Sequence, residues 1–132
     1  MTISPLMTGY EQADKTILLV DDNDAIIEFT QEVLEVLGHQ VQIAANGCEA
    51  INKYIAHKDE IDLVITDLDM PLLNGRDLIA MLHADNPHLK IIVMTGGSLA
   101  SESPDSPLSQ VKLLLSKPFS IDTLVQALIT IE

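Results

Sequence analysis

Polar functional groups follow apolar runs at four separate points of this sequence. One example is the segment VITDLDMPLLNG, residues 64–75, in which two carboxylates, a proline and a glycine come directly after an apolar run. A hydrophobic core gives no reason for carboxylates at such positions, so we regard them as candidates for chemistry. The candidates are Asp21, Asp22, Asp67, Thr95 and Lys117.

These residue types suit phosphoryl transfer if they lie close together. Neighbouring carboxylates repel one another, and a bound divalent cation reverses the sign of that interaction. Mg²⁺ takes oxygen ligands, typically one or two carboxylates, and keeps other coordination positions for phosphate oxygens. Lys117 would then hold an anion, Thr95 would donate a hydroxyl hydrogen bond, and an aspartate would act as the nucleophile.

The intervening sequence predicts strands that alternate with helices. Short apolar runs typical of strands lie at residues 17–20, 40–45, 61–67, 90–97 and 111–116. Apolar residues at helical spacing favour helices at residues 26–37, 46–57, 74–85 and 120–131. Gly38 ends the first helix, Asn46 with Glu49 forms a capping-box pattern, and Ser120 lies in the capping position of the last helix.

Alternating strands and helices predict a parallel sheet that is covered on both faces. Right-handed crossovers place the carboxyl ends of all strands along one edge of that sheet. Ligands bind at this edge in open sheets of this type, where the strand order reverses. Every predicted strand except the second ends in one of the candidate polar groups, so we expect them to meet there.

Composition narrows the class of protein. The chain has 132 residues, 47% of them hydrophobic, which is typical of one globular domain, with residues 1–14 as a flexible arm. Seven Lys and Arg against 20 Asp and Glu give a net charge of −13, which argues against direct binding to nucleic acid or an anionic membrane. Cys48 is the only cysteine, so we expect a cytoplasmic protein without an internal disulfide.

Simpler interpretations apply to single residues. One aspartate after a strand could merely cap a helix, and Thr95 is an ordinary residue for the end of a strand. We expect Cys48 to face solvent, and we expect Pro71 and Gly75 to shape their loop. The histidines show no ligand spacing and are predicted to be surface residues: His39, His57, His83 and His88.

Taken together, the candidate residues resemble those of a response-regulator receiver domain of two-component signalling, over about 115 residues from Lys15 onward. The matching pieces, in order, are Asp21-Asp22, Asp67 followed by MPLLNG, Thr95, and Lys117-Pro118-Phe119. The resemblance implies a flavodoxin-like, doubly wound (βα)5 three-layer sandwich with a parallel sheet in the order 2-1-3-4-5.

The resemblance also implies a role for each site residue. Asp67 would accept a phosphoryl group from a histidine kinase or a histidine phosphotransfer protein, while Thr95 and Lys117 hold that group. Asp22, Asp67 and the backbone carbonyl of Asp69 would bind Mg²⁺, with Mn²⁺ or Ca²⁺ as substitutes, and Asp21 would act through a water molecule. The chain would catalyse only its own phosphorylation and dephosphorylation, and it would signal to a downstream protein or output domain. The Lys117-Pro118 peptide would be cis.

Three positions depart from the family's usual pattern. Leu114 stands where the family commonly has Tyr or Phe, so we expect little coupling of phosphorylation to the fifth strand. Asp69 adds a charge at the mouth of the site, and we expect it to increase dependence on Mg²⁺. The segment GGSLASESPDSPLSQ, residues 96–110, should contain a helix, but its prolines predict that this helix is short or distorted.

Two interpretations from other classes stay open at this point. VITDLDMP also resembles the Asp-x-Asp strand end of haloacid-dehalogenase phosphatases, with Asp67 as nucleophile and Asp69 as acid/base. That interpretation leaves Asp21 and Asp22 without a role. The second alternative is a vestigial receiver domain that serves only as an interaction module. The presence of all the expected aspartates together with Lys117 argues against this alternative. The sequence does not decide between a stand-alone domain and part of a larger regulator or hybrid kinase.

Overall fold

One parallel sheet of five strands forms the centre of the fold. The computed structural model describes residues 15–68, 70, 73–96, 111 and 113–131. The strands are β1 (Thr16–Val20), β2 (Gln40–Ala44), β3 (Ile61–Asp67), β4 (Lys90–Thr95) and β5 (Leu113–Ser116). The helices within the described residues are α1 (Asp24–Val36), α2 (Gly47–His57), α3 (Gly75–Asp85) and α4 (Ile121–Ile131). Each of these elements overlaps a predicted one.

The strands lie in the order β2–β1–β3–β4–β5, and every pairing is parallel. This confirms the predicted order 2-1-3-4-5 and the flavodoxin-like class. The chain moves from β1 outward to β2 and then returns to the other side of β1 for β3. The order therefore reverses between β1 and β3, which is the place where sheets of this type bind ligands.

Alternate residues of the strands point to opposite faces, and each face has its own core. The core against α2 and α3 includes Leu18, Val20, Val64, Val93, Ala50, Tyr54, Leu78 and Leu82. The core against α1 and α4 includes Ile17, Leu19, Ile65, Ile92, Val33, Leu34, Leu124 and Leu128. Complete burial of each such aliphatic side chain contributes about 2 kcal/mol, so the two cores fix the strand ends rigidly.

Short polar side chains cap the N-termini of the helices that start at the carboxyl edge of the sheet. Asn46 Oδ1 accepts a hydrogen bond from Glu49 N at 2.8 Å, which confirms the predicted cap of α2. Asn74 Oδ1 accepts from Asp77 N at 3.0 Å at the start of α3. Ser120 Oγ accepts from Thr123 N at 3.1 Å, as predicted for the last helix. These caps satisfy amides that would otherwise lack partners in the first turn.

The surface prediction for His39 is wrong. This residue is 4% exposed, and its Nδ1 accepts a hydrogen bond from Lys15 N at 3.3 Å. The left-handed turn at Gly38, with φ of 95°, ends α1 and turns the chain directly into β2, which carries the imidazole under the start of β1. His88 and Cys48 are exposed, as predicted, whereas His57 and His83 are half-buried.

Several predictions fall outside the described residues. They concern the arm at residues 1–14, Asp69, Pro71, and the greater part of the expected helix at 96–110. Among the helices that are described, none is both long enough and apolar enough to cross a membrane.

A polar contact joins the ends of α2 and α3 on one face of the sheet. Tyr54 Oη donates a hydrogen bond to Asp85 Oδ2 at 2.7 Å, and Lys58 Nζ lies 3.5 Å from Asp85 Oδ1. Burial raises the pKa of Tyr54 to about 12, helped by the hydrogen bond and the charge of Asp85. The same hydrogen bond lowers the pKa of Asp85. Burial acts in the opposite direction, and the positive charge of Lys58 lowers the pKa further.

We predict that this contact produces a loss of stability in alkali. Because the pKa of Tyr54 is raised from 10.0 to about 12 in the folded state, its stabilising contribution is complete below pH 10 and disappears as the pH rises through 12. Tyr10→Phe leaves Tyr54 as the only one of the two tyrosines, so ultraviolet titration of this variant reports Tyr54 alone. A phenolate that titrates near 10 in the folded protein would contradict the contact, and Tyr54→Phe should lack this loss of stability.

Candidate functional site

Three carboxylates meet where the strand order reverses. In the parallel register Val20 lies opposite Thr66, so Asp21 and Asp67 are the next residues of neighbouring strands. Carboxylate oxygens of Asp21, Asp22 and Asp67 all lie within 4.8 Å of one another. The structure therefore brings together the three acids that the sequence places at separate strand ends.

Both oxygens of Asp21 are held by the protein. Oδ1 accepts a hydrogen bond from Asn23 N at 2.9 Å, and Oδ2 accepts one from Lys117 Nζ at 2.8 Å. The residue is 1% exposed, and its backbone N–H donates to Ala44 O at 3.1 Å. Asp22, the next residue, is exposed. The first acid is thus anchored inside the protein, while the second faces the solvent.

Asp67 ends β3 and is 5% exposed. Its Oδ1 accepts a hydrogen bond from Leu68 N at 2.9 Å and lies 3.2 Å from Lys117 Nζ. The same Leu68 N–H also points to Met94 O at 3.1 Å, which continues the pairing with β4 beyond the last strand residue. The carboxylate is therefore fixed by the backbone of its own turn and by Lys117, the residue after β5.

Lys117 is the cation that the structure places among the acids. Burial alone lowers the pKa of Lys117, but the hydrogen bond and charge of Asp21, followed by those of Asp67, outweigh burial and raise the pKa above its ordinary value. Its backbone N–H donates to Thr95 O at 2.8 Å, and the Lys117-Pro118 peptide is cis, as predicted. Among the described residues, three carboxylates and one ammonium leave an excess of negative charge at this edge.

Gly75, the first residue of α3, packs against the strand end that carries Asp67. A Cβ added to this glycine would lie 2.6 Å from Asp67 O and 2.6 Å from Leu68 Cα. Its backbone N–H donates to Leu68 O at 2.9 Å. Gly75 therefore shapes the loop by allowing close packing: only a residue without a Cβ lets the start of α3 approach the end of β3 this closely.

The other predicted site residues have different outcomes. Thr95 is 4% exposed at the end of β4, one residue beyond Met94, which pairs with Asp67. Asp69, predicted to offer its carbonyl, lies outside the described residues. Leu114 is 48% exposed on β5, so its side chain projects to solvent. Sequence reasoning missed Asn23, although an Asn directly before a helical pattern is a capping signal.

The donor set fits a hard divalent cation. Asp21, Asp22 and Asp67 offer carboxylate oxygens only, which Mg²⁺ prefers over nitrogen or sulfur ligands. One exposed carboxylate and two buried ones leave an open side for water or an anion. At an effective dielectric constant of 20, two like charges about 4 Å apart repel by about 4 kcal/mol, and a cation removes that cost.

Comparison with known proteins gives a consistent picture. The family model for the response regulator receiver domain matches residues 17–129. The response regulator receiver protein CpdR of Brucella abortus is 32% identical over 111 residues, which cover 84% of this chain and 91% of that protein. The sensor histidine kinase RcsC of Salmonella typhimurium is 32% identical over 121 residues, which cover 92% of this chain but 13% of the kinase.

Solved structures share the fold. A response regulator receiver domain protein from Clostridium thermocellum has a TM-score of 0.80 and 27% identity, with 89% of this chain and 93% of that chain covered. The response regulator TrrA from Thermotoga maritima, solved in complex with Mg²⁺ and BeF, has a TM-score of 0.79 and 30% identity. That match covers 89% of this chain and 99% of TrrA.

We predict that replacing Lys117 destabilises the metal-free protein. Lys117→Met leaves two buried carboxylates without their cation, which should cost about 3 kcal/mol in the free energy of unfolding. Millimolar Mg²⁺ should restore part of that loss. Lys58→Met is the matched control, because its half-exposed ion pair with Asp85 is screened by solvent and should contribute little to stability. Equal losses in the two variants, measured by urea unfolding, would contradict the electrostatic account.

We also predict that Gly75→Ala disturbs the end of β3. The added methyl group meets backbone atoms of Asp67 and Leu68, so it should destabilise the fold by about 1–3 kcal/mol, although alanine favours helices. Gly96→Ala is the control, because a Cβ there meets no atom of the described residues within 4 Å. Thermal unfolding and the amide shift of Leu68 measure the effect. An unchanged Leu68 amide in Gly75→Ala would refute the close packing.

Proposed function

This chain belongs to the response regulator receiver domain family, and we propose that Asp67 is the residue on which it accepts a phosphoryl group. Its role is that of a phosphoacceptor in two-component signalling. One observation carries the assignment to Asp67. Of the three clustered acids, Asp67 ends β3 at 3.2 Å from Lys117, where the strand order reverses. Both oxygens of Asp21 already accept hydrogen bonds from Asn23 N and Lys117 Nζ, and Asp22 is exposed.

The reaction is a displacement at phosphorus. A carboxylate oxygen of Asp67 supplies the electron pair for the new P–O bond, and the P–N bond of a donor phosphohistidine breaks. The imidazole nitrogen keeps the electrons of that bond and takes up a proton from solvent. The product on this chain is an acyl phosphate, which water later hydrolyses. We propose that the chain catalyses only its own phosphorylation and dephosphorylation, with no turnover of a separate substrate.

Lys117 and Thr95 hold the incoming group in this proposal. Lys117 Nζ already lies 3.2 Å from Asp67 Oδ1, so a small movement brings it to an oxygen of a phosphoryl group attached there. A lysine is charged at neutral pH, so Lys117 supplies the positive charge that the phosphoryl oxygens need. Thr95 ends the strand next to Asp67 and is proposed to donate its hydroxyl to another oxygen.

Asp22 and Asp67 would hold Mg²⁺ directly, and Asp21 would act through a water molecule. The hydrogen bonds on both oxygens of Asp21 support that division, because an anchored carboxylate orients a water more readily than it moves to a metal. When bound, Mg²⁺ would neutralise charge on the transferring phosphoryl oxygens. TrrA, which resembles this chain, was solved with Mg²⁺ and BeF, which supports the choice of metal. The backbone carbonyl of Asp69 remains a proposed further ligand.

A histidine kinase or a histidine phosphotransfer protein is the proposed donor. Among the relatives, RcsC is a sensor histidine kinase, and this chain spans 13% of its length. The downstream partner is proposed to be a protein, because the net charge of −13 disfavours nucleic acid and anionic membranes. A cytoplasmic location fits both the donor and the single cysteine.

We predict that Asp67→Asn abolishes phosphoryl uptake from a small donor such as acetyl phosphate with Mg²⁺. The amide keeps the shape of the side chain but lacks the nucleophilic oxygen pair. Asp59→Asn, an exposed acid after α2, should react at the wild-type rate. Intact-protein mass spectrometry measures the added phosphoryl group. Uptake by Asp67→Asn at the wild-type rate would show that the acceptor lies elsewhere.

A further inference from the structure

Asn23 joins the acidic turn to the helix that follows it. The turn consists of Asp21, Asp22 and Asn23, between the last residue of β1 and the first residue of α1. Asn23 has extended backbone angles, with φ of −94° and ψ of 113°, which is the usual geometry of a residue that caps a helix. It is the only member of the turn whose side chain is an uncharged amide.

The side chain of Asn23 binds the helix. Its Oδ1 accepts hydrogen bonds from Ala25 N at 2.9 Å and from Ile26 N at 3.1 Å. Its backbone carbonyl accepts from Ile27 N at 3.1 Å, which is the first helical hydrogen bond. Asn23 therefore fixes three amides of the first turn of α1, and α1 in turn is packed by its buried Val33 and Leu34.

The backbone N–H of Asn23 contacts the carboxylate of Asp21. Asn23 N donates to Asp21 Oδ1 at 2.9 Å, while Lys117 Nζ binds the other oxygen. Lys117 is shared, because it also lies 3.2 Å from Asp67 Oδ1. The contact from Asn23 is thus the one that remains on Asp21 if Lys117 moves to an incoming phosphoryl group.

We propose that Asn23 is a positioning residue for the metal site. By capping α1, the amide side chain of Asn23 keeps the backbone N–H of Asn23 in position to donate to Asp21. The backbone of Asp22 is then held in place, because the residues on both sides of it, Asp21 and Asn23, are fixed. An amide performs this task without placing a fourth carboxylate beside three that already repel one another. The inference rests on the proposed function insofar as that function assigns Mg²⁺ to Asp22 and Asp67.

The test compares two asparagine residues that each cap the N-terminus of a helix. Asn23→Ala removes the cap of α1, and Asn46→Ala removes the cap of α2, whose Oδ1 accepts from Glu49 N. Asn23→Ser is the rescue variant, because serine caps helices about as well as asparagine. Thermal unfolding should show similar losses of stability for the two alanine variants, so stability alone cannot explain a difference at the site.

The first measurement needs no metal. In Mg²⁺-free protein, the amide proton of residue 23 should shift upfield and exchange faster with solvent in Asn23→Ala. The Asn46→Ala and Asn23→Ser variants should keep the wild-type values, because their residue 23 still donates to Asp21. A wild-type amide in Asn23→Ala would overturn the proposal, since the side chain would then have no influence on the contact with Asp21.

The second measurement is Mg²⁺ affinity, followed by amide shifts of Asp22 and Leu68 during titration. Loss of a residue that orients metal ligands typically weakens binding by about 10-fold or more, and we expect about 10-fold for Asn23→Ala. Asn46→Ala and Asn23→Ser should bind within about twofold of wild type. Equal affinity in Asn23→Ala and Asn46→Ala would overturn the positioning role. Absence of Mg²⁺ binding in wild type would instead overturn the proposed metal site, and the amide of residue 23 would still decide whether the cap holds Asp21.

Discussion

Repulsion among carboxylates at one edge of a parallel sheet is the constraint on which this structure depends. Two parallel strands that end side by side bring Asp21 and Asp67 together, and the exposed Asp22 adds a third charge within 4.8 Å. Such an arrangement is costly in a folded protein unless a cation lies among the acids. Lys117, directly after β5, supplies one cation, and its contacts to Asp21 and Asp67 join the ends of β1 and β3. The remaining negative charge is what makes this edge suitable for a divalent cation.

The elements around the site hold the mutually repelling carboxylates in place. Two cores, one on each face of the sheet, prevent the strand ends from moving apart under repulsion. Gly75 lets α3 begin against the backbone of Asp67, and Asn23 starts α1 directly after the acids. The amides of Leu68 and Asn23 each donate to one carboxylate, so part of the charge is stabilised by backbone dipoles that need no solvent. Stability and chemistry at this edge therefore depend on the same contacts.

Much of this could be predicted from the sequence, because the pattern and the physics agree. Short apolar runs that alternate with amphipathic segments specify strands, helices and a parallel sheet whose carboxyl ends share one edge. The order of the strands, which places Asp21 beside Asp67, is implied by the resemblance to receiver domains rather than by that pattern. The burial of His39 could not be predicted, because it depends on a turn at Gly38 that places the imidazole under a neighbouring strand. The double role of Asn23 was also hidden, because its backbone contact to Asp21 depends on turn geometry rather than on residue type. The tight approach at Gly75 likewise depends on how a helix packs on a strand.

Reductive trapping of the acyl phosphate identifies the residue that carries the phosphoryl group. The wild-type protein is incubated with acetyl phosphate and Mg²⁺, then treated with borohydride, which reduces a phosphorylated aspartate to homoserine. Peptide mass spectrometry then locates the converted residue. We expect conversion at Asp67 alone, and none when Mg²⁺ is withheld by a chelator. Conversion at Asp21, Asp22 or Asp69, or no conversion at all in a folded, Mg²⁺-loaded protein, would contradict this expectation.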